Sequence, residues 1–169
     1  ALAAAAAALA TRACVSEENW KRPRLEIEFL RRMLKRFLVK ERDTLMRNNM
    51  RFGAIGRIER LPKDVRRELD KTIELSAGNT GTRLCLALSY GGRAELVDAA
   101  RKLAALAASG AIKPDEIDEA MISNALYQPQ MPEPDLVIRT AGEMRLSNFL
   151  LWQVSYAEFY VTDVLWPDF

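Results

Sequence analysis

Arg83-Leu84-Cys85-Leu86-Ala87-Leu88-Ser89-Tyr90 is the stretch on which the fold turns. Gly78-Asn79-Thr80-Gly81 marks a turn before it and Gly91-Gly92 ends it. Between these limits the residues are nearly all apolar, with no alternation of polar positions. That pattern predicts a strand buried on both faces, the kind found in parallel sheets covered by helices. Working outward, the neighbours fit such a sheet. Pro23 opens a helical pattern to about Asn48, in which Leu25, Phe29, Met33 and Phe37 recur every four residues with Leu30, Leu34 and Leu38 beside them. Arg31, Arg32, Lys35, Arg36 and Lys40 occupy the opposite face, and Asn48-Asn49 is a stop signal. Met50 to Ile58 reads as a strand with soft points at Gly53 and Gly56, and Pro62 to Ser76 as a helix.

Downstream, helices are predicted over about Ala94–Ala108, closed by Gly110, and over Pro114–Leu126. Pro129, Pro132 and Pro134 stiffen the next connection. Asp135–Thr140 reads as a strand, Ser147–Tyr156 as a short helix, Glu158–Val164 as a last strand, and Thr11–Val15 as a possible first one. The alternation predicts an α/β fold, a mostly parallel β-sheet with helices on both faces. Such a sheet places ligands beyond the carboxyl ends of its strands. No internal repeat and no dividing linker appears, so residues 1–169 read as a single domain with an atypical Ala-rich start over 1–15.

Composition narrows the chemistry. The chain has 169 residues, 25 Lys and Arg against 23 Asp and Glu, and no histidine. The near-neutral balance argues against a general nucleic-acid binder. Without histidine, Ser-His-Asp catalysis and His-based zinc sites are impossible within it. Cys85, inside its apolar run, reads as a buried thiol rather than half of a disulfide or a metal ligand. No stretch is long enough to span a bilayer. Ala1–Ala10 has neither a charged leader nor a starting Met, so it reads as a helix fragment or a damaged or artefactual start rather than a signal peptide. The natural amino-terminal part is expected to be absent.

The chemistry gathers in Arg139-Thr140-Ala141-Gly142-Glu143-Met144-Arg145-Leu146-Ser147-Asn148. A buried strand ends at Arg139, Gly142 lets the chain turn, Arg145 returns to the same edge, and Ser147 falls at the N-cap of the predicted helix. Two guanidinium forks and a helix start match the oxygens of a phosphate or diphosphate. On local chemistry alone, structural ion pairs of these arginines with Glu143 and Glu158 explain the residues equally well. A second cluster, Glu17-Glu18-Asn19-Trp20-Lys21-Arg22-Pro23, suits substrate contact at a strand's carboxyl end, or simply a helix cap with Trp20 as hydrophobic staple.

The run from Arg139 to Gln153 closely resembles the signature of the cis-prenyltransferases, which include the undecaprenyl diphosphate synthases. Glu18–Pro23, Ser89-Tyr90-Gly91-Gly92-Arg93 and Tyr156 to Phe169 resemble that family too, in the family's order. The resemblance implies condensation of isopentenyl diphosphate, in cis geometry, onto an allylic diphosphate such as farnesyl diphosphate, yielding a long polyprenyl diphosphate. It implies that Arg139, Arg145 and Ser147 hold the isopentenyl diphosphate and that Glu158 serves a Mg2+ site. Asn19 and Trp20 match a mobile loop that closes over the substrates, with Arg22 and Glu26 on its hinge side. Leu25, Phe29 and Met33 are then candidates for the wall of an apolar tunnel, although core packing is the default reading of such a stripe. A homodimer, a cytoplasmic location and membrane contact only through the product follow from the same resemblance.

The departures are specific. The family's leading Asp-Gly-Asn-Gly-Arg-Trp block, with its catalytic aspartate, is missing, as is its last helix. Thr11-Arg12-Ala13-Cys14-Val15 fits the family's usual aromatic-containing strand poorly. Glu17 stands where a small hydroxyl residue is usual, and Arg57 where Asp is common. The chain therefore reads as an incomplete copy without prenyl-transfer activity of its own. The alternative is a non-catalytic partner subunit of a heteromeric enzyme, but such subunits tend to lose the diphosphate arginines that this chain keeps.

Overall fold

The computed structural model describes residues 9–17, 20, 23–129, 131–165 and 168. The chain forms two compact units, Ala1–Tyr90 and Gly91–Phe169.

In the first unit, β1 (Leu9–Ser16), β2 (Arg51–Ile55) and β3 (Arg83–Tyr90) form a three-stranded sheet in the order β1-β3-β2. Both pairings are parallel, with Ala10 and Ala54 opposite Leu84 and Leu86 of the central strand. Successive strands that run parallel in one sheet need long crossovers. These are supplied by α1 (Arg24–Lys40) with α2 (Arg42–Arg47), between β1 and β2, and by α3 (Lys63–Ser76), between β2 and β3. β3 lies at the centre as its composition predicts, and Cys85, Leu86, Ala87 and Leu88 are all buried. Leu86 and Leu88 join Leu34 and Leu38 of α1, Phe52 of β2, and Val65 and Leu69 of α3 in one core. Each fully buried aliphatic side chain there contributes about 1.5–3 kcal/mol. Gly56 shows why a side chain is excluded just after β2: at φ +117°, an added Cβ would lie 2.1 Å from the Leu88 carbonyl oxygen.

The long first helix is interrupted at Glu41, the C-cap of α1 and the N-cap of α2. Asn49, at φ 52°, provides the predicted stop in the left-handed conformation that asparagine tolerates. The larger correction concerns the apolar face of α1. Leu25, Phe29 and Met33 are 82%, 65% and 53% exposed, so they are not core. The helix carries two adjacent apolar stripes, and the sheet takes the one containing Leu34 and Leu38.

The second unit begins with α4 (Gly92–Ala108), ended by Gly110 at φ +75°. The predicted helix from Pro114 is instead a 3-10 turn, Pro114–Glu116, followed by α5 (Glu119–Ala125). Asp118 sets the new start, because its side chain accepts from the Met121 amide at 2.8 Å. β4 (Leu136–Arg139) and β5 (Glu158–Val161) pair in parallel as a two-stranded sheet, Leu136 opposite Glu158 and Arg139 opposite Val161. Ala99 and Leu103 of α4 pack with Ala125, Leu126 and Trp152.

The short helix predicted over Ser147–Tyr156 does not form; this segment is a succession of turns and bends. Ser147, Asn148 and Leu150 adopt φ values of 51°, 61° and 46°. A right-handed helix does not pass through three left-handed residues. Ser147 is therefore not a helix N-cap. Among the described residues, no helix is long and apolar enough to cross a membrane.

Candidate functional site

β4 ends at Arg139, and the chain reverses at once. Ala141 and Gly142 take φ 59° and 65°, and the Glu143 amide donates to the Thr140 carbonyl at 3.4 Å. Two successive left-handed residues inside such a hydrogen bond make a type I′ turn. Its amides are tied to the chain just after β5, Gly142 to the Thr162 carbonyl at 2.9 Å and Ala141 to that of Val164 at 3.1 Å. The turn brings Glu143 back beside Arg139, whose Nη2 lies 3.3 Å from the Glu143 Oε2. Arg145 returns to the same carboxylate, with Nε 2.7 Å from Oε2 and Nη2 donating to Oε1 at 3.0 Å. This is a forked, charge-assisted contact.

Two guanidinium groups thus converge on one anion beyond the carboxyl end of a parallel strand. The anion in this state is the protein's own Glu143, so that ion-pair alternative is realised. The Glu158 pairing is not. Arg139 keeps a further donor, because its Nε is buried without a hydrogen-bond partner. Arg145 is the open member, its side chain 75% exposed. Ser147 lies two residues beyond Arg145, exposed, its hydroxyl without a hydrogen-bond partner among the described residues. With no helix starting there, helix-start amides drop out of the anion site. The two guanidinium groups carry the positive charge.

Glu158 is the first residue of β5, opposite Leu136. It sits at the amino-terminal end of a strand pair whose carboxyl end bears Arg139, about 10 Å away at 3.3 Å per residue. The structure does not gather it with the arginines. Among the described residues no group of three or more His, Cys, Asp or Glu side chains could hold a metal ion.

The remaining predicted residues belong to the first unit. Asn19 and Arg22 lie outside the described residues. Trp20 packs against the first unit's core, and its indole N–H donates to the Ser89 hydroxyl at 2.8 Å. The Arg60 guanidinium stands 5.6 Å from the ring centroid. Glu26 is exposed in the first turn of α1, where an acid suits the helix dipole. Glu17 pairs with Arg57 at 3.2 Å and also with Arg60. The two residues that the resemblance marks as departures are therefore in contact with one another.

Comparison with known proteins places the chain in a family. Residues 7–169 match the family model Prenyltransf, described as "Putative undecaprenyl diphosphate synthase". The chain belongs to this family. The isoprenyl transferase of Heliobacterium mobile is 52% identical over 154 residues, which are 91% of this chain and 59% of that protein. That of Rhodopirellula baltica is 48% identical over 156 residues, 92% of this chain and 64% of that protein. The chain thus spans about three fifths of the length of the curated relatives it matches. The structure of lavandulyl diphosphate synthase from Lavandula x intermedia, in complex with dimethylallyl diphosphate, matches with TM-score 0.90 and 41% identity, over 95% of this chain and 70% of that one. A "probable undecaprenyl diphosphate synthase" from Campylobacter jejuni matches with TM-score 0.84 and 34% identity, over 96% of this chain and 74% of that one. The mostly parallel sheet with helices is therefore the cis-prenyltransferase architecture.

Proposed function

We propose that the loop after β4 is the isopentenyl diphosphate site of a cis-prenyltransferase that extends an allylic diphosphate, such as farnesyl diphosphate, into a long polyprenyl diphosphate. The observation that supports this most is the convergence of Arg139 and Arg145 on a single carboxylate. A diphosphate offers the same two guanidinium groups more oxygens and more charge than Glu143 does. Each charge-assisted hydrogen bond contributes about 1.5–3 kcal/mol net. Several of them hold a diphosphate at micromolar strength after the ordering cost. The buried, unpartnered Nε of Arg139 and the open hydroxyl of Ser147 are further donors for it.

The exposure of Leu25, Phe29 and Met33 favours the tunnel-wall reading over core packing, since these side chains are available to line a growing apolar chain. Asn19 and Trp20 as loop residues over the substrates, with Arg22 and Glu26 on the hinge side, complete the reading on the resemblance. Mg2+ belongs to it on the same ground, with Glu158 as its carboxylate. The described residues do not by themselves build that metal site. A homodimer, a cytoplasmic location and peripheral membrane contact through the product are parts of the same proposal.

Residues 1–169 contain no Asp-Gly-Asn sequence. We therefore expect these residues alone to bind isopentenyl diphosphate but not to turn it over. Calorimetric titration should give micromolar affinity, and incubation of radiolabelled isopentenyl diphosphate with farnesyl diphosphate and magnesium should give no long-chain product. Absence of binding at millimolar concentration would refute the site, and long-chain product would refute the inactivity.

A further inference from the structure

We propose that Asn148 is a positioning residue, which fastens the diphosphate loop to the first turn of α4 and thereby holds Arg145 and Ser147 in place. The first amides of a helix have no partner inside it and need acceptors from elsewhere. The N-cap of α4 is Gly91, which has no side chain to offer. Asn148 supplies both acceptors from far along the chain. Its backbone carbonyl accepts from the Gly92 amide at 2.7 Å, and its side-chain Oδ1 accepts from the Arg93 amide at 2.8 Å. Those amides are thereby taken up by the protein and are not offered to an anion.

The fastening continues on either side of this cap. A Cβ at Gly92 would lie 2.8 Å from the Leu151 Cγ, so the glycine lets the loop settle onto the helix start. Glu95, one turn further along α4 and only 2% exposed, accepts from the Gln153 side-chain amide at 3.1 Å and from the Tyr127 backbone amide at 3.1 Å. The Trp152 indole donates to the Ser123 hydroxyl at 2.9 Å. Residues 148–153 are therefore bonded or packed at several points to the helices of their own unit.

The loop needs such a hold. Ser147 and Leu150 are left-handed at φ 51° and 46°, a conformation that residues with a Cβ keep only where surroundings impose it. Asparagine is the side chain best suited to the position between them, because it tolerates φ 61° and carries an acceptor. Ser147 is its immediate neighbour and Arg145 lies three residues before it. The Ser89–Arg93 motif, which the diphosphate chemistry leaves unused, is thus partly the receptor for this fastening.

The proposal rests on the diphosphate reading only for its affinity arm, and its test separates the two. Amide hydrogen exchange on the 169-residue chain reads the fastening directly. In Asn148→Ala, exchange at Arg93, Phe149 and Val154 should accelerate about fivefold or more, while α3 in the other unit keeps its protection. Asn148→Asp, which retains the acceptor, should restore protection at Arg93. Inorganic pyrophosphate should bind Asn148→Ala about five- to tenfold more weakly than the parent chain.

Unchanged exchange at Phe149 and Val154 overturns the fastening, as does failure of Asn148→Asp to protect Arg93. Weaker binding without faster exchange also overturns it, because Asn148 would then be a ligand rather than a positioning residue. If the parent chain binds no pyrophosphate, the diphosphate assignment fails and the exchange data alone decide the role of Asn148.

Discussion

Replacing Arg145 by alanine separates ligand binding from folding more cleanly than other changes in the loop after β4. Its side chain is 75% exposed, and its ion pair is with Glu143. Exposed pairs contribute about 0.2–1 kcal/mol, so the variant should lose about 1 kcal/mol of stability at most. In a chain of this size that lowers Tm by about 2–4 °C. The effect on a bound diphosphate is larger. Losing the guanidinium removes at least one charge-assisted hydrogen bond to an anion, about 1.5–3 kcal/mol. The dissociation constant for isopentenyl diphosphate should therefore rise about ten- to 150-fold. Calorimetric titration at low ionic strength measures the affinity, and thermal melting of the same samples measures the fold. Arg145→Lys should fall between, because the charge remains but the fork is lost. Affinity within twofold of the parent chain, or a loss accompanied by unfolding, would refute the reasoning.

Glu143→Gln should act in the opposite sense. Without the carboxylate that occupies both guanidinium groups, pyrophosphate should bind about three- to tenfold more tightly at low salt, with the gain shrinking as salt is added; titrations at two ionic strengths check it. On α1, Phe29→Ser should change unfolding free energy by about 0.5 kcal/mol or less, whereas Leu38→Ala, in the core, should cost about 2–5 kcal/mol by urea unfolding. Burial pushes the Cys85 thiol from its ordinary value of 9.0 up to about 11. The unfolded chain then ionises first, so the contribution is present below pH 9 and lost as pH rises towards 11. Urea unfolding across that interval should show a decline of up to about 3 kcal/mol that Cys85→Ala abolishes.

What could be read from the sequence depended on how far apart the interacting residues lie. β3 was legible because an apolar run flanked by glycine turns needs no partner to identify it. The arginine pair was legible because Arg139, Glu143 and Arg145 fall within one turn of chain, and the ion-pair reading with Glu143 was already open beside the anion site. The apolar face of α1 was visible as a spacing, but two neighbouring stripes have the same spacing. Only the position of the sheet decides that Leu34 and Leu38 go inward and Phe29 outward. The helix expected over Ser147–Tyr156 is absent for a non-local reason. Its apolar residues have helical spacing, yet Asn148 is held by amides at the start of α4, more than fifty positions earlier. Pro114 and Asp118 are both local start signals four residues apart; the first opens only a 3-10 turn and the second caps α5.

The contact between Glu17 and Arg57 makes two family departures into one unit. Returning Arg57 alone to an acid would set two carboxylates against each other, and returning Glu17 alone to a small hydroxyl residue would leave Arg57 and Arg60 without their shared counter-charge. The two positions are therefore expected to be coupled, as contacting charged residues are. Relatives that carry one change should carry the other, and chimaeras exchanging the residue just after β1 or the loop just after β2 singly should lose stability where the double exchange does not.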